Sequence, residues 1–339
     1  MVIVRKRIVV LVTVALVTLL GAAAPESCGV GQGAKPYIAT VSWTSYGIPH
    51  VRGSSWANLG YGYGYAFARD NLCVLASDVV EANGELSRYF GPNGGNLQSD
   101  FVWALYNSDE RVQDSWEQLD GDSQELLRGY ARGYNRFLGD TGLSGLAEPC
   151  RDAAWVRPID EFDVLKGLTK LTLRAGVANF IDAIAAAAPP APLAAAESAQ
   201  PKPGAKSLTE AQQLLAQVDL PQWNVHEFGS NAVALGSDLT NDGGGALLGN
   251  PHFPWFGINR FHAVHLTIPG RYDAMGSAIY GFPLVSIGFN RHMAWSHTVS
   301  TARRFVVPSW PLSASPPPEG PTDGRRPRPE GAGREAALR

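Results

Sequence analysis

Charge is scarce in this 339-residue sequence: 17% of the residues are charged and the formal net charge is −3. Nothing in that balance attracts a polyanion, so nucleic acid is not an expected partner. Metal-ligand spacings are missing as well, with no His-x-x-x-His and no Cys-x-x-Cys pair. The tightest histidine pair, in His262-Ala263-Val264-His265, sits in a strand-like run whose alternation sends the two rings to opposite faces. Neither a metal nor any other cofactor is called for.

Long apolar runs are also absent. Ile8 to Leu20 falls well short of the ~20 residues that span a bilayer. It follows Arg5, Lys6 and Arg7 and ends in the small residues Gly21 to Ala24, which is the order of a cleavable export signal over residues 1–24. The expected location is therefore secreted, extracellular or periplasmic, with no membrane attachment after export. Cysteine is rare, with three in all. Cys28 lies beside the signal junction behind Pro25-Glu26-Ser27, a triplet unsuited to lipid attachment. Cys73 and Cys150 lie in well-patterned sequence, and in an exported chain a disulfide between them is the expectation, with two separate buried thiols as the alternative. Closing so long a loop would contribute roughly 4 to 5 kcal/mol on the chain-entropy argument.

What the chain does have is 45% hydrophobic residues and ample length for a large core. Tyr37 to Arg52 alternates like two strands around a Tyr46-Gly47-Ile48-Pro49 turn. Glycines and aromatics interleave from Gly60 to Tyr65, a close-packed opening to a helix read from Leu72 to Val80. Further helices are expected over Ser123 to Leu138 and over Ile159 to Val177, the latter opened by Asp160 and Glu161. From Ala183 to Ala205 the sequence becomes Ala, Pro, Lys and Ser, the composition of a spacer. Strand-like runs follow at Asn231 to Leu235, Ala246 to Leu248, His262 to Ile268 and Leu284 to Phe289. Pro308 to Arg339 holds eight of the 24 prolines and no apolar period. That stretch reads either as a gene continued out of frame or curtailed, or as a disordered tail.

Between spacer and first strand stands Glu227-Phe228-Gly229-Ser230-Asn231. By itself this is an ordinary turn into a strand. Its position gives it a chemical use, because a chain cut after Gly229 leaves Ser230 as an N-terminal residue. A serine hydroxyl is a weak nucleophile, but a free α-amine with a pKa near 8 serves as its general base. Glycine in front gives the backbone freedom for the Ser230 hydroxyl to approach the Gly229 carbonyl.

Gly229-Ser230-Asn231-Ala232, Gly249-Asn250-Pro251-His252-Phe253-Pro254-Trp255 and His292-Met293-Ala294-Trp295-Ser296-His297-Thr298-Val299 resemble the penicillin acylase family of N-terminal-nucleophile hydrolases. The lipopeptide and acyl-homoserine-lactone branch fits best. Thr44 to Val51 and Gly64 to Cys73 look like the opening of that family's α-subunit. The resemblance implies an α+β fold, the αββα sandwich, with a mostly helical α-subunit-like region over residues 25–183. A spacer over 184–229 and the start of a β-subunit over 230–305 follow, with 306–339 as the tail. It implies cleavage between Gly229 and Ser230, Ser230 as nucleophile, His252 as the histidine that orients it, Val299 as a backbone oxyanion donor and Phe253 at the border of the acyl pocket. His50, His265 and His297 keep ordinary structural readings.

The activity so implied is hydrolysis of an acyl amide, such as a lipopeptide, an N-acyl-homoserine lactone or a β-lactam, with the α and β chains of one precursor staying associated. The family's second oxyanion donor is an asparagine far downstream, with an arginine beyond it, and the residues after Ser230 do not reach that far. The expectation from this is an incomplete sandwich and an inactive or poorly folded product. A non-catalytic remnant or acyl-ligand-binding secreted protein is the competing reading.

Overall fold

The chain is described by a computed structural model over residues 36–173, 176–187, 229–255 and 258–299. The expected strand pair opens it: β1 (Ala39–Trp43) and β2 (Pro49–Gly53) run antiparallel, with Val41 opposite Val51. Gly47 takes the left-handed position of the turn at φ 82°, and Thr44 Oγ1 accepts hydrogen bonds from the Tyr46 and Ile48 amides.

The helix that follows is longer than the sequence reading allows. α1 (Trp56–Ala82) is capped by the Ser55 side chain and includes the whole glycine-aromatic stretch that was set ahead of it. The reason is its partner, α5 (Gly121–Thr141). A Cβ on Gly60 would stand 2.2 Å from the Leu126 carbonyl oxygen, and one on Gly64 2.1 Å from that of Tyr130. In return, Cβ atoms on Gly129 and Gly133 would stand 2.0 and 2.1 Å from the Ala57 and Tyr61 carbonyl oxygens. Four glycines thus bring two helix backbones into contact, and burial of Tyr63, Phe67, Tyr130 and Tyr134 along the seam offsets the roughly 1 kcal/mol each glycine costs a helix.

α5 covers the expected Ser123 to Leu138 and starts on Asp120, whose carboxylate accepts from the Ser123 amide. α6 (Glu161–Leu173) is shorter than the second expected helix, Ile159 to Val177: it begins after Asp160, which accepts from the Phe162 and Asp163 amides, and Val177 opens a separate 3-10 turn, Val177–Phe180. Arg157 clamps Asp163 through two hydrogen bonds of 2.7 and 2.8 Å. Burial alone would raise the Asp163 carboxyl, but those bonds outweigh it and hold it below the usual range. α2 (Leu86–Phe90), α3 (Asn96–Tyr106), α4 (Asp109–Glu117) and α7 (Ile181–Ala185) complete the helices, with no individual signal read for them in the sequence. Cys73 on α1 and Cys150 beyond α5 have Cα atoms 5.6 Å apart and sulfurs in bonding contact.

After the spacer, β3 (Gly229–Leu235) and β4 (Ala246–His252) pair with each other as a separate two-stranded sheet. β5 (Phe261–Ile268), β6 (Tyr272–Ile279), β7 (Ile287–Phe289) and β8 (Ala294–Trp295) join the opening strands in a six-stranded sheet ordered β1-β2-β5-β6-β7-β8. All its pairings are antiparallel except β2 with β5, where His50 lies beside His265 and Val51 beside Leu266. Val51, Val264, Leu266, Ile268, Ala274 and Ala278 turn one face of this mixed sheet into the core shared with Leu59, Tyr63 and Phe67 of α1. The fold is α+β.

Among the described residues no helix is long and apolar enough to cross a membrane, and no cluster of metal-ligating side chains occurs. The export signal over 1–24, nearly all of the spacer and the 306–339 tail lie outside the described residues.

Candidate active site

Pairing of β3 with β4 sets the site. Gly229 lies opposite His252, Ser230 opposite Pro251 and Asn231 opposite Asn250. Residues directly opposite one another share a face of the ladder, so His252, Asn250 and Asn231 project together while Gly229 leaves room for the imidazole. A Cβ on Gly229 would stand 3.1 Å from His252 Nδ1, so the ring occupies the space a side chain would take. On its other side, His252 Nε2 lies 3.2 Å from Asn231 Nδ2 and 3.1 Å from Asn250 Nδ2. The Ser230 hydroxyl donates to the Gly229 carbonyl oxygen, across the bond that the sequence marks for cleavage.

The structure therefore sets Gly229 against His252, while Ser230 follows Gly229 on β3 opposite Pro251, with its side chain on the other face of the ladder. Phe253 follows His252 directly and stacks edge to face on Phe261, with centroids 5.2 Å apart. Val299 is half-buried at the far end of the described segment. Three residues before it, Ser296 packs on β4, where a Cβ on Gly249 would stand 3.0 Å from Ser296 Oγ. Sequence reasoning assigned no role to Asn231 or Asn250, although both fall inside the motifs quoted. Their i, i+2 spacing to Gly229 and His252 on paired strands is the signal that points to them.

The other histidines separate as alternation requires. His262 turns to α1, stacking on Tyr63 at 6.0 Å and edge-on to Phe67 at 5.2 Å. His265 turns to the opposite face, where its Nδ1 is 2.8 Å from His50 Nδ1 and its Nε2 is 2.7 Å from Asp273 Oδ1. Behind the sheet, α1 departs from helical geometry at the buried Asn71, where φ is −141°. Asn71 Oδ1 accepts there from Arg260 and from the Tyr280 hydroxyl, so the kink ties α1 to the chain around β5 and β6.

Comparison with known proteins adds the decisive observation. The family model described as penicillin amidase matches residues 38–311. This chain belongs to the penicillin amidase family. Within it, the chain is similar to the acyl-homoserine lactone acylase PvdQ of Pseudomonas syringae pv. syringae, with 43% identity over 289 residues. That alignment takes in 84% of this chain and 36% of the relative. Aculeacin-A acylase of Actinoplanes utahensis is 41% identical over 299 residues, 85% of this chain and 37% of that protein. A solved chain of a thermostable penicillin G acylase from Alcaligenes faecalis superposes with a TM-score of 0.35 at 24% identity, covering 49% of this chain and 98% of that one. The penicillin amidase chain described here thus spans a little over a third of the length of these curated relatives.

Proposed function

We propose that this chain is the self-cleaving, nucleophile-bearing portion of an exported acylase that hydrolyses an acyl amide. The observation that carries the reading is the Ser230 hydroxyl lying on the Gly229 carbonyl at the start of β3, with His252 opposite. Attack by Ser230 Oγ on the Gly229 carbonyl carbon forms an ester as the peptide C–N bond breaks, and the hydroxyl proton ends on the freed Ser230 amine. Water then hydrolyses the ester, leaving a Gly229 carboxylate and a free Ser230 hydroxyl. The same residue, now with its α-amine as general base, attacks a substrate amide, releases the amine half and is regenerated by a second water. Val299 N–H is the proposed donor to the oxyanion, and loss of one such donor typically costs on the order of 10² to 10³ in rate. Phe253 is the proposed border of the acyl pocket.

Relatives that bear the names acyl-homoserine lactone acylase and aculeacin-A acylase support a fatty-acyl amide as the substrate class. Export over residues 1–24 and a Cys73–Cys150 disulfide belong to the same proposal, as does association of the two pieces after the cut. Intact-mass analysis of the full chain beside Ser230→Ala tests it. Wild type should part between Gly229 and Ser230 while the variant stays whole. A wild-type chain that stays whole overturns self-cleavage and leaves the acyl-ligand-binding reading.

A further inference from the structure

His252 meets two side-chain amides at Nε2, and the chemistry of those neighbours bears on where its proton sits. Both side-chain atoms nearest to Nε2, Asn231 Nδ2 at 3.2 Å and Asn250 Nδ2 at 3.1 Å, belong to amide NH₂ groups, which donate and do not accept. An Nε2 that carried hydrogen would face two side-chain donors and would have only solvent as its acceptor, since all three residues are exposed. Nε2 therefore offers its lone pair, and the hydrogen of the neutral ring is on Nδ1. Nδ1 is the atom that lies over Gly229, 3.1 Å from where a Cβ there would be.

From this we infer that Asn231 and Asn250 are positioning residues that lock His252 in its Nδ1–H tautomer, so that it presents a donor and not a lone pair to the Gly229–Ser230 peptide. The inference rests on the self-cleavage reading and gives it a proton inventory. His252 would offer its Nδ1–H on the Gly229 side, and its one basic nitrogen faces the two amides on the far side. It is not the base that activates Ser230, and that task falls to other groups, after the cut to the α-amine. The register makes the arrangement possible: Asn231 and Asn250 are a directly opposed pair, one step along the ladder's face from the Gly229–His252 pair.

The test reads the tautomer and the cut separately. In full-length Ser230→Ala labelled with ¹⁵N-histidine, the His252 signals are assigned among seven histidines by their loss in His252→Gln. Imidazole ¹⁵N spectra should show Nε2 as the bare, pyridine-type nitrogen and Nδ1 as the protonated one. The reverse assignment overturns the inference and leaves self-cleavage standing. In the Ser230 background, Asn231→Asp/Asn250→Asp replaces donors with acceptors. It should move the hydrogen to Nε2 in the same spectra and slow the cut at least tenfold by intact mass, while unfolding at a temperature near that of wild type. Cutting at the wild-type rate with the hydrogen moved would overturn the role. A wild-type chain that never cuts sinks the self-cleavage reading, and the spectra still decide the tautomer.

Discussion

Two imidazole nitrogens 2.8 Å apart, His50 Nδ1 and His265 Nδ1, cannot both present hydrogen, so one ring donates to the other while His265 Nε2 bonds Asp273. Burial pushes His50 below its ordinary value of 6.5, and charge on His265 pushes the same way. The hydrogen bond from His265 holds the Asp273 carboxyl below its usual range. The folded chain consequently binds fewer protons than the unfolded chain at mildly acid pH. Its stability rises with pH in that window and is lost as pH falls below about 6.5, with Asp273 adding a further loss below about 4. Thermal melts between about pH 7.5 and about pH 5.5 should show a larger drop for wild type than for His50→Gln. Equal drops would remove His50 as the cause. None of this was visible in the sequence, where His50 and His265 carry ordinary structural readings. Their meeting depends on β2 lying parallel to β5, a pairing between residues separated by the whole helical region. Ser230 and His252 could be named as candidates from the sequence because strongly patterned local motifs surround them.

At the level of elements, strands with clean alternation and helices with caps were legible, while elements made by their neighbours were not. β6, Tyr272–Ile279, contains Asp273, Gly276 and Ser277 and lacks a β-branched run. It becomes a strand because β5 and β7 flank it, and Gly276 is needed there, since a Cβ would stand 2.1 Å from the Ile287 carbonyl oxygen. Glycine is a poor helix former, so the front of α1 carries little helical signal of its own, and only the facing glycines of α5 make the stretch an advantage. This predicts a contrast within one helix. Gly129→Ala gains about 1 kcal/mol of helix propensity but drives a methyl to 2.0 Å from a backbone oxygen, so the net change should be a loss of roughly 1 to 3 kcal/mol. Gly139→Ala, on the same helix with nothing within 4 Å, should be neutral or slightly stabilising. Denaturant melts of the two variants check this, and equal effects would mean that α1 and α5 separate at little cost.

Across the whole molecule, segments from before and after Gly229 are interleaved. The region in front of it supplies β1, β2 and the helices, and the region behind it supplies β5 to β8, all in one compact unit. The six-stranded sheet is thus completed across the proposed cut by the β2–β5 ladder, and the core is closed by α1 packing on the later strands. Cys28, Cys73 and Cys150 all precede Gly229, so no disulfide within this chain can tie the two segments together.

Cleavage would then alter the molecularity of unfolding, from one chain opening to two chains parting. An uncut molecule has a melting point indifferent to dilution, whereas the parted pair obeys mass action. Each tenfold dilution should cost the processed form about 1.4 kcal/mol, a few degrees for a fold of this size, while Ser230→Ala should melt at the same temperature throughout. Calorimetry over a hundredfold range of concentration reads the difference directly. If it is present, the β2–β5 ladder has become a subunit interface, and the amount of protein in solution has become a determinant of whether the site exists.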